Sequence, residues 1–238
     1  MPDCLLKAIS VLLLIGQSNA GRLYEAAGKF KEFILYSRQR SSLSPETLGL
    51  RMEHGFDCVT VIALNGNFYL PRGSRVTINK HSHTNVKHRG VNYPRKISRT
   101  ARKMRMVMKQ DLGPVIFIGL FPRGVTSCTD NSCQYKPRGR FRVMKTVQKV
   151  NRELKAVVTE QKRRFPSHFV DPVDVACKIS GLKLSDYINE PGLFRPFLMR
   201  DGIHWRKKLL EGLWKQIKAI LILEGVMTDA IKKAQSSG

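Results

Sequence analysis

Residues 9–19 read Ile-Ser-Val-Leu-Leu-Leu-Ile-Gly-Gln-Ser-Asn, an apolar run from Ile9 to Ile15 that stops at Gly16-Gln17-Ser18-Asn19. An apolar run that does not alternate has no solvent face, the pattern of a central parallel strand covered on both sides. A second reading exists for the same letters. Leu5 to Ile15 is apolar, Lys7 precedes most of it and Ala20 follows, as in a secretory signal. The only early charges are Asp3 and Lys7, so the basic leading region of a signal is poor and the strand is preferred. No run reaches the roughly 20 apolar residues of a membrane span.

Working outward, four more apolar runs are spaced along the chain: Phe33–Tyr36, Cys58–Leu64 (CVTVIAL), Val115–Phe121 (VIFIGLF, closed by Pro122) and His168–Val170, which runs into Asp171-Pro172. Helical periodicity lies between them. Ser44 is a natural N-cap and Pro45 a first-turn proline. Ile97, Ala101, Met104 and Met108 step by three and four on a helix whose other faces are basic. Val143, Val147, Val150, Leu154, Val157 and Val158 mark a longer helix. Leu209, Leu210, Leu213, Trp214, Ile217 and Leu221 mark a last one. Strands alternating with helices predict a parallel sheet with helices on both faces. The expectation is therefore one α/β domain over 1–238, a three-layer α/β/α sandwich around a five-stranded parallel sheet of flavodoxin-like type. Its core spans about 8–225, with a basic irregular insertion at about 70–94 and a frayed tail at 226–238. In such sheets the ligand crevice lies beyond the carboxyl ends of the strands.

Two short motifs fall where chemistry is expected. Ser18 sits on the turn after the first strand, close to the start of the next helix, whose backbone N–H groups can hold a developing oxyanion. A serine needs an adjacent base to act as a nucleophile. Asp201-Gly-Ile-His204 stands just before the last helix. Three residues apart on a turn, the carboxylate can fix the tautomer of the imidazole while its other nitrogen faces the serine. The structural alternatives are a serine capping a helix that begins near Arg22, and an N-cap aspartate beside a surface histidine.

On these residues the chain resembles the SGNH (GDSL-like) hydrolases. Gly16-Gln17-Ser18-Asn19 matches the first family block in a form similar to that of carbohydrate acetylesterases. Asp201 to His204 matches the last block, Asp-x-x-His. Asn65-Gly66-Asn67-Phe68 matches the third in part. The stretch from Val115 through Pro122-Arg123, then Asn151 and Leu154, then Phe169-Val170-Asp171, resembles the later half of the family, especially the esterase-like domains encoded in some non-LTR retrotransposon reading frames. The resemblance covers roughly 8–225. It implies an esterase without cofactor in which Ser18 attacks, His204 is the base and Asp201 orients it. The oxyanion would rest on the Ser18 N–H and the Asn67 amide, and the substrate would be a small-molecule or carbohydrate ester of a small acyl group such as acetyl. The chain departs from the family in the second block, where Ser37-Arg38-Gln39-Arg40 holds no glycine, and in the third, where Asn65 and Phe68 replace Gly and Asp. Gly16-x-Ser18-x-Ala20 also approximates the nucleophile elbow of α/β-hydrolases. There the elbow follows several strands, whereas here the serine follows the first.

Composition adds a second theme. The 238 residues are 42% hydrophobic, enough for a sizeable core, yet 42 Lys+Arg against 18 Asp+Glu leave a net charge of +24. Such an excess attracts polyanions, nucleic acid above all, or an anionic membrane surface. The alternative is scattered, solubilising charge. Between Cys58 and Gln110 there is no Asp or Glu, while twelve Lys/Arg lie from Arg72 to Lys109. Arg99, Arg102, Lys103 and Arg105 on one helix, and Arg138, Arg140 and Arg142 in a second basic run, are the candidate phosphate contacts. Tyr93 and Tyr135 stand among them as stacking candidates. The competing functional reading is thus a catalytically weak scaffold that binds nucleic acid within a mobile-element protein. Five cysteines at irregular spacing read as free thiols in a reducing, cytoplasmic or nuclear setting. Cys128 and Cys133 lack a second Cys/His pair and His81-x-His83 with His88 lack a carboxylate, so no metal site is expected.

Overall fold

The structure, a computed structural model, describes residues 11–27, 33–36, 43, 49, 51–53, 58–64, 69, 93–110, 112–122, 137–199 and 204–225. It is an α/β arrangement in which a parallel sheet is flanked by helices. The strands are β1 (Val11–Ile15), β2 (Phe33–Tyr36), β3 (Cys58–Ala63), β4 (Val115–Ile118) and β5 (Ser167–Val170), side by side in the order β2-β1-β3-β4-β5. Every neighbouring pair is parallel, with Leu12 opposite Phe33, Leu12 opposite Val59, Thr60 opposite Val115 and Val115 opposite Ser167. The helices are α1 (Ser18–Ala27), α2 (Tyr93–Met108), α3 (Pro137–Gln161), α4 (Pro172–Ser180), α5 (Leu184–Asn189), a 3-10 helix (Pro191–Phe197) and α6 (Lys207–Leu223). α1 and α4 pack against α6, and α2 packs against α3.

Burial explains why these runs carry no alternation. Leu12, Leu13, Leu14 and Ile15 are all buried, as are Val115, Ile116, Phe117 and Ile118, so consecutive side chains on these strands are shielded from solvent. The flanking helices contribute apolar stripes to the same core: Met104, Val107 and Met108 from α2, Met144, Val147, Val150 and Leu154 from α3, and Leu209, Leu213 and Ile217 from α6. His168 and Glu224 tie β5 to the end of α6, Nε2 to Oε1 at 2.5 Å.

Several sequence boundaries are corrected. β4 ends at Ile118, not Phe121. The Gly119 N–H still bonds to the Val170 carbonyl, but β5 then turns away at Asp171-Pro172 and offers no further partner. The Asn151 side chain takes over, accepting from the Leu120 N–H at 2.8 Å and donating to its carbonyl at 2.9 Å. Gly119 permits this approach, since a Cβ there would stand 2.8 Å from the Asn151 Oδ1. β3 closes one residue early, at Ala63. α2 begins at Tyr93, so Tyr93 and Pro94 leave the irregular segment, the proline sitting in the first turn where its missing N–H costs nothing. α3 starts at Pro137, before its first periodic valine. Residues 8–10, the rest of the 70–94 insertion and the 226–238 tail lie outside the described residues, as does the start of the helix expected after Ser44; residues 51–53 are helical.

α4, α5 and the 3-10 helix were not anticipated, although α4 carries readable signals at both ends. Asp171 caps it, accepting from the Val173 N–H at 2.9 Å, Pro172 occupies the first turn, and Gly181 closes it at φ 72°, a left-handed conformation suited to glycine. Asp171 Oδ1 also accepts from Asn151 Nδ2 at 2.9 Å.

Burial raises the Asp171 carboxyl to about 6, outweighing the hydrogen bonds from Val173 and Asn151 that act the other way. The folded state therefore holds this proton more tightly than the unfolded chain does. The stabilisation is complete below the ordinary value near 3.8 and is lost as pH rises through about 6. Asp171→Asn keeps the acceptor and removes the ionisation. Denaturant unfolding of both proteins from about pH 4 to about pH 7 should show the variant gaining on the parent by on the order of 2 kcal/mol. Parallel pH profiles would exclude this role for the carboxylate.

Candidate active site

β1, β3, β4 and β5 all end at one edge of the sheet, and the first of these ends carries the serine. Gly16 is buried at the tip of β1, where a Cβ would stand 3.0 Å from both the Ala20 and the Ala63 methyl carbons. Glycine therefore lets the first turn of α1 sit against the end of β3. That turn is closed by the Ala20 N–H on the Gln17 carbonyl at 2.8 Å. Ser18 is thus the first residue of α1, not a cap for a helix beginning near Arg22, and it is exposed. The leading amides of a helix lack intrahelical acceptors and its dipole favours negative charge there. α1 has no acidic residue in its first turn to occupy that position.

The histidine arrives from the other end of the chain. The 3-10 helix is anchored by an aromatic cluster: Tyr187 stacks on Phe194 with centroids 4.1 Å apart, and Phe194 meets Phe121 edge-on at 4.9 Å. Beyond it, Leu198 and Trp205 form an antiparallel bridge. The Met199 N–H bonds to the His204 carbonyl at 2.8 Å and the Arg206 N–H to the Phe197 carbonyl at 2.9 Å. The backbone of His204 is therefore held by the pairing of residues 197–199 with 204–206. Its Nε2 lies 2.9 Å from the Ser18 Oγ, two side chains 186 residues apart in sequence. A hydroxyl at hydrogen-bond distance from an imidazole nitrogen meets the distance required of a nucleophile–base pair.

A neighbouring contact went unread in the sequence. The Asn19 Oδ1 accepts from the Trp205 N–H at 3.2 Å, and Trp205 itself is buried. Consecutive residues 18 and 19 thus engage consecutive residues 204 and 205, a two-point clamp between α1 and the histidine turn. Asn19 was visible in the motif, but nothing local to it indicates a partner so distant along the chain. Asp201 and Asn67 lie outside the described residues, as do Ser37–Arg40, Cys128, Cys133 and the histidines at 81, 83 and 88.

The basic candidates separate by helical phase. Arg99 and Arg102 are exposed on α2, whereas Lys103 donates to the Leu43 carbonyl at 2.9 Å and Arg105 pairs with Glu160 at 3.0 Å. Arg138, Arg140 and Arg142 lie on α3. Among the described residues no group of His, Cys, Asp and Glu is placed to hold a metal, and no helix is long and apolar enough to cross a membrane.

The clamp has a measurable consequence. Asn19→Ala should slow covalent labelling of Ser18 by a fluorophosphonate about tenfold or more, because small misplacements of a base cost rate steeply. Asn19→Asp, which retains an acceptor oxygen, should keep most of the rate. Equal rates in all three proteins would show that the contact does not position His204.

Among known protein families no model matches this chain, and no curated protein is detectably similar to it, so the functional reading rests on the geometry of the site.

Proposed function

We propose that this chain is a serine esterase of the SGNH type, a three-layer α/β/α sandwich around five parallel strands that hydrolyses the ester of a small acyl group such as acetyl. The observation that carries the reading is the 2.9 Å contact between Ser18 Oγ and His204 Nε2 at the carboxyl edge of a parallel sheet. An exposed serine at a helix N-terminus with an imidazole in reach has the groups that ester cleavage requires.

In the proposed reaction His204 Nε2 takes the Ser18 proton as Oγ attacks the ester carbonyl. The tetrahedral oxyanion is held by the Ser18 N–H at the start of α1 and by the Asn67 amide. The intermediate then collapses, the C–O bond to the alcohol breaks, and His204 returns the proton to the departing oxygen. A water, deprotonated by the same nitrogen, attacks the acyl-serine and releases the acid. Asp201, three residues before His204, orients the ring and stabilises its cation. No cofactor enters. The resemblance to carbohydrate acetylesterases and to the esterase-like domains of non-LTR retrotransposon reading frames supports this assignment, and five irregularly spaced cysteines fit a reducing cytoplasmic or nuclear setting.

Treating the purified protein with a fluorophosphonate probe tests the reading directly. The parent should label at Ser18, and Ser18→Ala and His204→Ala should both lose labelling. Turnover of p-nitrophenyl acetate should fall in each by on the order of 10³-fold or more. An unlabelled parent that is folded by circular dichroism would sink the esterase assignment.

A further inference from the structure

The net charge of +24 calls for a partner that ester chemistry does not supply. α2 shows where part of that charge is displayed. The helix contains no Asp or Glu, and its buried positions Ile97, Thr100, Ala101, Met104, Val107 and Met108 fix its phase against the core. Arg95, Arg99, Arg102 and Lys109 are all exposed. Their spacings of four, three and seven residues return them to nearly the same angular position on a helix of 3.6 residues per turn. The helical bonding continues through Lys109, whose N–H bonds to the Arg105 carbonyl at 3.0 Å. At about 1.5 Å per residue, the stripe from Arg95 to Lys109 is about 21 Å long.

The other cations of α2 do not share this face in the same way. Lys96, Lys103 and Arg105 sit on its flanks, Lys103 held by the Leu43 carbonyl and Arg105 by Glu160. Among the described residues Arg99, Arg102 and Lys109 form no ion pair. The pairing of Arg105 with Glu160 also fixes what stands alongside. Glu160 is in the last turn of α3, so the exposed Lys162-Arg163-Arg164 turn lies at the same end of this layer as Lys109.

We infer that the outer face of α2 is a binding surface for the phosphodiester backbone of a nucleic acid, with Arg99, Arg102 and Lys109 as its principal contacts. Phosphates follow one another along a strand at about 3.4 Å of axial rise, so a stripe of about 21 Å matches about six of them. A linear row of guanidinium and ammonium groups suits a linear polyanion, and arginine adds a fork that engages two phosphate oxygens. An anionic bilayer fits less well. Among the described side chains of the helix Met106 is the one large exposed apolar group, between Arg102 and Lys109, so the described face has little to insert below the headgroups. Nothing in the surface reads base identity, and the expected binding is independent of sequence. The inference stands whether or not Ser18 is catalytic.

The test uses the full chain and fluorescence anisotropy with labelled 20-nucleotide single-stranded RNA, single-stranded DNA of the same sequence, and the corresponding DNA duplex. Liposomes of phosphatidylserine and phosphatidylcholine are run in parallel. At least one nucleic acid should bind at low salt, with affinity falling log-linearly as salt rises. Which probe binds most tightly identifies the physiological class. Arg99→Ala/Arg102→Ala/Lys109→Ala should weaken binding about tenfold or more and lower the salt slope by about 2 to 3. Lys178→Ala/Lys183→Ala/Lys215→Ala removes the same charge from exposed positions on other elements and should leave the slope nearly unchanged. Equal losses in the two triple variants would overturn the assignment to α2, since net charge alone would then explain binding. Absence of binding to all three nucleic acids, or binding to liposomes alone, would overturn it as well.

Discussion

Burial of β1 on both faces is the constraint from which the remaining architecture follows. A strand whose consecutive residues Leu12 to Ile15 are all inaccessible needs a partner on each edge and a layer on each face. β2 and β3 fill the edges in parallel register. Parallel pairing then obliges the chain to cross back between strands, which places helices over the sheet and collects the strand ends at one edge. Gly16 lets the chain leave β1 without a side chain that would collide with Ala20 and Ala63, so the helix can begin directly behind the strand. The exposed serine is a product of that tight exit.

The same edge must dispose of backbone groups that the ladder no longer satisfies. At β4 the solution is a side chain: Asn151, from the buried side of α3, closes both hydrogen bonds of Leu120 and also reaches Asp171. One amide thereby holds the exits of β4 and β5 together, and the exit of β4 leads to Phe121, part of the aromatic cluster beneath the histidine loop. The rigidity of the Ser18–His204 pair therefore draws on packing well outside it. In the proposed esterase a base held this way would be oriented before substrate arrives, which is the condition for it to contribute to rate.

Charge follows another logic. The cations of α2 are sorted by the angular position of each residue against the apolar stripe, so that neighbours in sequence have different fates: Arg102 faces out while Lys103 reaches a backbone carbonyl. Long-range attraction of a polyanion would need only the outward set and is screened by salt, whereas a direct contact such as the 2.9 Å one between Ser18 and His204 is not. The two proposed roles depend on interactions of different range and do not require one another.

Sequence by itself determined the features that burial periodicity reports. The unbroken runs marked strands with two covered faces, the three-and-four spacings marked α2, α3 and α6, and two short motifs identified Ser18 and His204 as candidates for one site. Apart from that pair, what it left open were the features whose partner is distant along the chain. The exit of β4 at Ile118 depends on where β5 stops and on Asn151. The helices after Asp171 were passed over because each is too short, at nine, six and seven residues, to show a helical period, although the cap at Asp171 and the glycine at 181 were legible. Asn19 became meaningful only beside Trp205, and Lys103 and Arg105 left the basic face only beside Leu43 and Glu160. Local pattern encodes how deeply a residue is buried, because burial is set by the solvent on either side of its own element. Which groups meet across the fold is decided by tertiary packing, where the choice among many chemically equivalent partners is made by geometry.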